Sequence, residues 1–333
     1  MRHIFITALI LASGSQALAY QPVQIELDAP DYDRWMYPFN GTPGARTVGP
    51  TFAAFGYDIF DERDGQVLFG FHTDDDISSG LGPSSYRVTS ATMTLMIENG
   101  GIIYDDSADA WQTHVKGGED VDPGQEVLLS GARFRGDYDG WSFGETGAFG
   151  PFSAGTRYAY PIDFDADGLV RDISNNVLNE FQPNPFAVGT VDGLDAGDAV
   201  PELATYTFSL NVDDPDIQCY LRSSLDDGLV SLIISSFHAG SQDGSGSYPQ
   251  WICKENSLVF VGLADAAGLQ MTVEVVEPSG VEGDVDGDGL VGVTDLLDVI
   301  SDWGRCPCCP TDLNGDEVVD VNELLNVISN WGG

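Results

Sequence analysis

Two stretches near the C-terminal end carry side-chain oxygens at intervals suited to caging a metal ion. They are GDVDGDGLVGVTDLLDVISDWG, residues 283–304, and TDLNGDEVVDVNELLNVISNWG, residues 311–332. Counted from Asp284, loop positions 1, 3, 5 and 12 are Asp284, Asp286, Asp288 and Asp295, and Leu290 offers its carbonyl at position 7. Counted from Asp312, positions 1, 3, 5, 7, 9 and 12 are Asp312, Asn314, Asp316, Val318, Asp320 and Glu323. Calcium takes six to eight oxygens at about 2.3–2.6 Å, and this spacing wraps one short loop around one ion. Two calcium ions are therefore expected. Asp320 with Glu323 also fits a capping box, which serves a helix without any ion. So dense a run of like charge nevertheless favours a caged cation. A candidate third calcium site is Asp163, Asp165 and Asp167, followed by Gly168. Ser174 at its position 12 cannot close the cage as a carboxylate would, so an acidic turn before a helix is the alternative.

The loops need elements to hold them. After each comes an amphipathic run with apolar residues at helical spacing: Leu296, Ile300 and Trp303, then Leu324, Ile328 and Trp331. Neither helix can bury its stripe alone, so the two are expected to pack together, with Val291 and Val319 pairing the loops back to back. Position 6 is Gly289 in the first loop and Glu317 in the second. A sharp turn there wants positive φ, which a side chain resists. The second site is expected to be the weaker.

This duplicated pattern of a calcium loop followed by a helix, with no helix before it, resembles the type I dockerin module over residues 283–332. The resemblance implies a small all-α calcium-binding domain that docks onto a cohesin-like protein domain. It assigns partner selectivity to loop positions 10 and 11, here Val293, Thr294, Val321 and Asn322. Glu317 departs from the family pattern, as does RCPCCP (residues 305–310) between the two halves.

From Tyr20 to about Glu277 the pattern changes to short alternating runs divided by Gly, Asp, Pro and Ser. In VTSATMTLMI (residues 88–97), Ala91, Met93, Leu95 and Ile97 share one face. Similar runs at 67–71, 127–129, 206–212, 229–235, 258–263 and 269–276 predict an antiparallel β-sandwich or jelly roll. Two short helices are expected against it. One is capped by Asp214 and Pro215 with Ile217, Tyr220, Leu221 and Leu225 on one face. The other carries Ile173, Val177, Leu178 and Phe181. The region resembles, in pieces, jelly-roll domains of the carbohydrate-binding-module kind, which makes a polysaccharide its candidate ligand. Trp35, Tyr37, Phe39, Trp111, Trp141, Phe143, Tyr248 and Trp251 are the aromatic residues that could stack on sugar rings. The stretch from about 117 to 201 is the hardest to assign.

The first residues have the form of a secretory leader: Arg2 and His3, an apolar run from Ile4 to Ala12, and Ala17-Leu18-Ala19 as a small-x-small cleavage pattern. The run is too short to span a bilayer. The domain reading is a leader over 1–19, a sandwich over 20–276, a linker over 277–283 and a dockerin-like domain over 284–333. The 333 residues include 53 acidic and 13 basic ones, a formal net charge of −40. That field repels nucleic acid and anionic membrane and favours divalent cations. Neither nucleic acid nor membrane insertion is expected. The protein is read as secreted, or held at a cell surface through a partner.

Five cysteines in an oxidising compartment imply bridges and one leftover thiol. Cys219 with Cys253 is the expected pair, with a local bridge inside Cys306-Pro307-Cys308-Cys309 preferred over a metal site. No catalytic set stands out: His72, His114 and His238 form no metal-binding pair, and the acids are too many to nominate two. The leading expectation is a non-catalytic modular protein whose C-terminal module binds calcium and attaches the sandwich to a partner. A displayed hydrolase of O-glycosyl bonds in polysaccharides and a purely structural surface protein are the alternatives.

Overall fold

Alternating residues become antiparallel strands throughout the main region. The computed structural model describes residues 22–115, 122–241, 246–275 and 279–332. The expected leader lies outside them, as do residues 277 and 278 of the expected linker. The chain begins with β1 (Val23–Leu27), β2 (Tyr32–Met36), β3 (Val48–Pro50), β4 (Phe52–Ala53), β5 (Arg63–His72) and β6 (Tyr86–Met96). It continues with β7 (Val127–Phe134), α1 (Gly140–Phe143), β8 (Ala159–Phe164), β9 (Val170–Asp172), β10 (Ala187–Val188) and β11 (Thr205–Ser209). Next come α2 (Pro215–Asp227), β12 (Leu229–Ser236), β13 (Gln250–Ile252), α3 (Ser257–Phe260) and β14 (Gly268–Val275). The last elements are α4 (Val293–Ser301), β15 (Gly304–Arg305), β16 (Val318–Val319) and α5 (Val321–Ser329).

One sheet has the order β1-β14-β6-β11, and the larger has β2-β5-β12-β7-β8-β9, with β4 on β5 and β10 on β7. The fold is mainly β, antiparallel and jelly-roll-like, with a few short helices. Along β6 the inward residues change phase between Val88 and Ala91, because Thr89 is an extra residue. Thr272 of β14 lies opposite Ser90 and Val273 opposite Val88. β12 is buried along its whole length. Val230, Leu232 and Ile234 join the main core, while Leu229 and Ile233 join a second cluster with Tyr32, Leu68 and Phe143. A strand covered on both faces reads as an apolar run rather than as an alternation.

The helix expected after Asp214 is α2. Asp214 Oδ1 accepts from the N–H groups of Asp216 and Ile217, Ile217, Leu221 and Leu225 are fully buried, and Gly228 ends the helix at φ 76°. The helix expected over 173–181 is only a 3-10 turn, Ile173–Asn175. Glu62 Oε2 accepts from the N–H groups of Val177 and Leu178 at 3.0 Å, and Asn176 Oδ1 accepts from Arg63 Nε at 3.1 Å. The Glu62 carboxylate, distant in sequence, thus takes two donors that a helix would use internally, and Leu178 turns outward. The strand expected at 258–263 is replaced by the single turn of α3. Asn256 Oδ1 caps it by accepting from the Leu258 N–H, and Phe260 is 91% exposed.

The C-terminal segment has its own apolar cluster: Val291, Val299, Cys309, Val319 and Val327, with Val281 of the expected linker packed against it. It is not purely helical, because β15 and β16 pair within it. Val291 and Val319 do not pair with each other as expected. Gly304, just beyond α4, pairs with Val319 of the second loop, and Gly332, just beyond α5, donates its N–H to the Val291 carbonyl at 3.0 Å. Each half thus closes the other's loop, an arrangement that the 28-residue repeat makes two-fold.

This segment rests on one face of α2, where Asp216, Cys219 and Ser223 follow one another at helical spacing. Arg305 pairs with Asp216 (Nη1 to Oδ2, 2.7 Å), Arg222 donates to the Cys308 carbonyl at 2.7 Å, and Cys219 is bridged to Cys308. The expected Cys219–Cys253 pair is therefore absent. Cys219 looks out from α2, whereas Cys253 follows β13, where it is buried and free. Burial, then the nearby Asp33 and Glu255 charges, pushes its thiol well above the ordinary range. Cys306 and Cys309 form the local bridge.

Peptide mapping without reduction should recover Cys219 linked to Cys308, with Cys253 alkylated only after unfolding; a Cys219–Cys253 peptide would contradict this arrangement. Cys219→Ser opens a long loop, so it should lower stability by about 2–4 kcal/mol in denaturant titration and speed proteolytic release of the C-terminal segment.

Candidate metal centre

In the first loop the ligand oxygens of Asp284, Asp286 and Asp295 all lie within 4.8 Å of one another. The backbone holds them there. Asp284 accepts from the N–H groups of Gly287 (2.9 Å) and Gly289 (2.8 Å), Asp286 from Asp288 (3.0 Å), and Asp288 from Leu290 (2.8 Å). Gly287 and Gly289 have φ of 73° and 86°, the turn that lets these donors point inward. Asp295, in the first turn of α4, is fully buried; its Oδ1 accepts from Val285 and Asp286, and its Oδ2 from Gly292. Each carboxylate oxygen has a second lone pair beyond the one an N–H uses. The donor set therefore fits a hard divalent cation.

Burial raises the Asp286 carboxyl above its ordinary range; the Thr294 hydroxyl and the Asp288 N–H pull it back, and the Asp295 and Asp288 charges push it up. Asp298 is raised as well, by burial and then by Asp286, Asp302 and Asp295.

The second loop repeats the backbone hydrogen bonds to positions 1, 3 and 5 but differs at positions 3, 6 and 12. Asp312 accepts from Gly315 (2.9 Å) and Glu317 (2.8 Å), Asn314 from Asp316 (2.9 Å), and Asp316 from Val318 (3.0 Å). Asn314 Nδ2 also donates to Glu323 Oε1 at 2.5 Å, while Glu323 Oε2 accepts from the Asp320 N–H. Asp320 and Glu323 do form the capping box at the start of α5. Glu317 sits at φ 66°, the left-handed conformation expected of position 6.

The helices bury a different stripe from the one expected. Val299 and Val327 are fully buried and Leu296 and Leu324 partly so, but Ile300, Trp303, Ile328 and Trp331 are exposed. The reason lies in position 12: its carboxylate must turn toward the loop, so the residue one turn later goes inward. Val293, Leu297, Ile300 and Trp303 make an outward row, and Val321, Leu325, Ile328 and Trp331 its repeat, each residue between 47% and 61% exposed. Of the four residues at loop positions 10 and 11, Val293 and Val321 begin these rows and Thr294 and Asn322 lie exposed beside them. Leu297 and Leu325 were missed in sequence, although they stand at equivalent positions of the repeat.

The third acidic group is not brought together. Asp163 is wholly buried against Arg171 (Nε to Oδ1, 2.9 Å) and accepts the Asn184 N–H, while Asp165 Oδ1 accepts from Asp167 and Leu169 in its own turn. Gly168, at φ 76°, lies so close under Arg305 that a Cβ there would stand 1.6 Å from Nη2. That loop serves two arginines, and its acids do not converge on a shared point. Of the aromatic residues, Trp35, Phe143 and Trp251 are buried in the sandwich. Phe39, stacked on Phe152 at 6.1 Å, and Trp141, stacked on His72 at 4.2 Å, remain exposed.

No family model and no curated protein matches the chain. Among solved structures it is similar to a mutant of the unassembled VP1 pentamer of Washington University polyomavirus. The identity is 10%, over 77% of this chain and 98% of that one, with a TM-score of 0.25, too distant a likeness to argue from.

Replacing Glu317 by Gly should relieve the left-handed strain, about 1 kcal/mol, and tighten calcium at the second loop roughly five-fold while leaving the first unchanged. Calorimetric titration of the two sites checks this. An unchanged or weakened second site would show that the φ of Glu317 does not limit binding.

Proposed function

We propose that this protein is an exported attachment module. Its paired C-terminal loops take up two calcium ions, and the helices they anchor present two equivalent apolar rows to a cohesin-like protein domain, tethering the β-sandwich to an extracellular partner. The observation that carries this reading is the pair of outward rows, Val293-Leu297-Ile300-Trp303 and Val321-Leu325-Ile328-Trp331, standing directly on the two acidic loops. Exposed apolar surface of this regularity marks an interaction site. Because the two rows repeat, a partner can engage either one in the same way.

The role of the ions follows from the chemistry of the loops. Calcium would neutralise the convergent carboxylates and fix the first turn of each helix, so binding energy becomes folding energy for the segment. The sandwich is then the cargo. The exposed Phe39–Phe152 stack supports a polysaccharide as its ligand, because sugar rings pack on such faces.

The full-length exported chain should bind recombinant cohesin domains on a biosensor in the presence of calcium and release them in chelator. Leu297→Asp with Leu325→Asp should abolish binding, more than 100-fold, while calcium uptake stays intact. Either single change should be partly tolerated, because the other row remains. Calcium-independent binding, or binding indifferent to the double change, would defeat the docking reading.

A further inference from the structure

A second constellation of ligating side chains lies in the sandwich, apart from the C-terminal loops. It comprises Asp105 and Asp109 after β6, His114 shortly beyond, Asp122, and Glu126 just before β7. The ligand atoms of Asp109, His114 and Glu126 lie within 4.8 Å of one another, and so do those of Asp105, Asp109 and Asp122, so Asp109 belongs to both groups. Asp105 and Glu126 are each only 2% exposed. Asp105 Oδ1 accepts from the N–H and hydroxyl of Ser107, and Glu126 shares a side-chain hydrogen bond with Asp109, but among the described residues no donor reaches Asp105 Oδ2 or Glu126 Oε2. Nε2 of His114 is likewise buried without a hydrogen-bond partner among the described residues. Buried carboxylate oxygens and ring nitrogens rarely go without a donor or a cation.

Among the described residues, Arg63 is a buried cation whose charge acts on this group, but it makes no ion pair with it. The charge of Arg63 acts on both Glu126 and His114; its Nε donates to Asn176 and its guanidinium lies over the Phe237 ring, 3.7 Å from the centroid. The His114 ring is held by Phe237 at 4.3 Å and Phe55 at 6.2 Å, so its position is fixed by packing. An open cleft of about 730 Å³, lined by His114, Trp111, Glu62, Phe55 and Leu178, gives a route from solvent to the imidazole.

We propose that Asp109, His114 and Glu126 hold a divalent metal ion of the zinc or manganese class, with Asp105 and Asp122 adjoining it through the shared Asp109. A nitrogen ligand among carboxylates suits these ions and disfavours calcium, which takes oxygen. The packed imidazole and the buried Glu126 present their lone pairs from rigid positions, which lowers the ordering cost of binding. This site is independent of the docking reading, because none of its residues belongs to the C-terminal segment.

The test uses the full exported chain with its disulfides intact, stripped of metal, then saturated with calcium and titrated with Co²⁺ as a spectroscopic stand-in. One Co²⁺ per chain should bind, with visible bands of nitrogen and oxygen ligation and no thiolate charge-transfer band, and Zn²⁺ should displace it. His114→Ala and the near-isosteric Glu126→Gln should each weaken uptake by about ten-fold or more, because even outer partners of metal ligands matter to that extent. Circular dichroism shows whether each variant is folded, and Glu126→Gln decides the matter if His114→Ala is not. No Co²⁺ uptake by the parent chain, a thiolate band from Cys253, or uptake unaffected in a folded variant would each overturn the assignment.

Discussion

Like charges confined to a short loop impose the constraint on which the C-terminal segment depends. Two unit charges 4 Å apart in a surface-like dielectric repel by about 4 kcal/mol, and Asp284, Asp286 and Asp295 bring their oxygens within a similar separation. Backbone N–H groups offset part of that repulsion, as the bonds into Asp284 and Asp295 show. They do not remove the charge, and burial, with the neighbouring carboxylates adding to it, holds Asp286 and Asp298 above the ordinary range. In the proposed reading, a caged cation would complete the compensation. The position of every later element follows from it, because Asp295 and Glu323 sit in the first turns of α4 and α5.

The apolar cluster of this segment is small, five buried residues with a few partly buried neighbours. A core of that size seldom holds a fold unaided, and staples usually make up the difference. Here there are covalent ones, Cys306–Cys309 within the segment and Cys219–Cys308 to the sandwich, besides the proposed ions. The ion pair of Arg305 with Asp216 fixes how the segment sits on α2. The outward rows can therefore stay apolar and exposed, since the fold does not need to bury them.

Much of this arrangement could be read in the sequence because it depends on local order. The strands of β6, β12 and β14 follow from alternation or from an apolar run, and α2 from Asp214, Pro215 and the spacing of Ile217, Leu221 and Leu225. The loop frames, including the left-handed turn at Glu317, follow from spacing alone. What stayed hidden depended on distant residues. Glu62 suppresses the helix at 173–181 from more than a hundred positions away. The partner of Cys219 could be known only once α2 faced the C-terminal segment. The adjacent pairs Leu296-Leu297 and Leu324-Leu325 allow two helical stripes, and periodicity cannot choose between them. The inward turn of Asp295 and Glu323 does choose, since it carries Val299 and Val327 into the core.

The central claim is that the two loops cage calcium. Crystals of the chain grown with calcium, measured at a wavelength where calcium scatters anomalously, test it most directly. The account predicts two anomalous peaks, one among Asp284, Asp286, Asp288 and Asp295, the other among Asp312, Asn314, Asp316 and Glu323, and none at Asp163. Ordered loops with no anomalous density in either would contradict it.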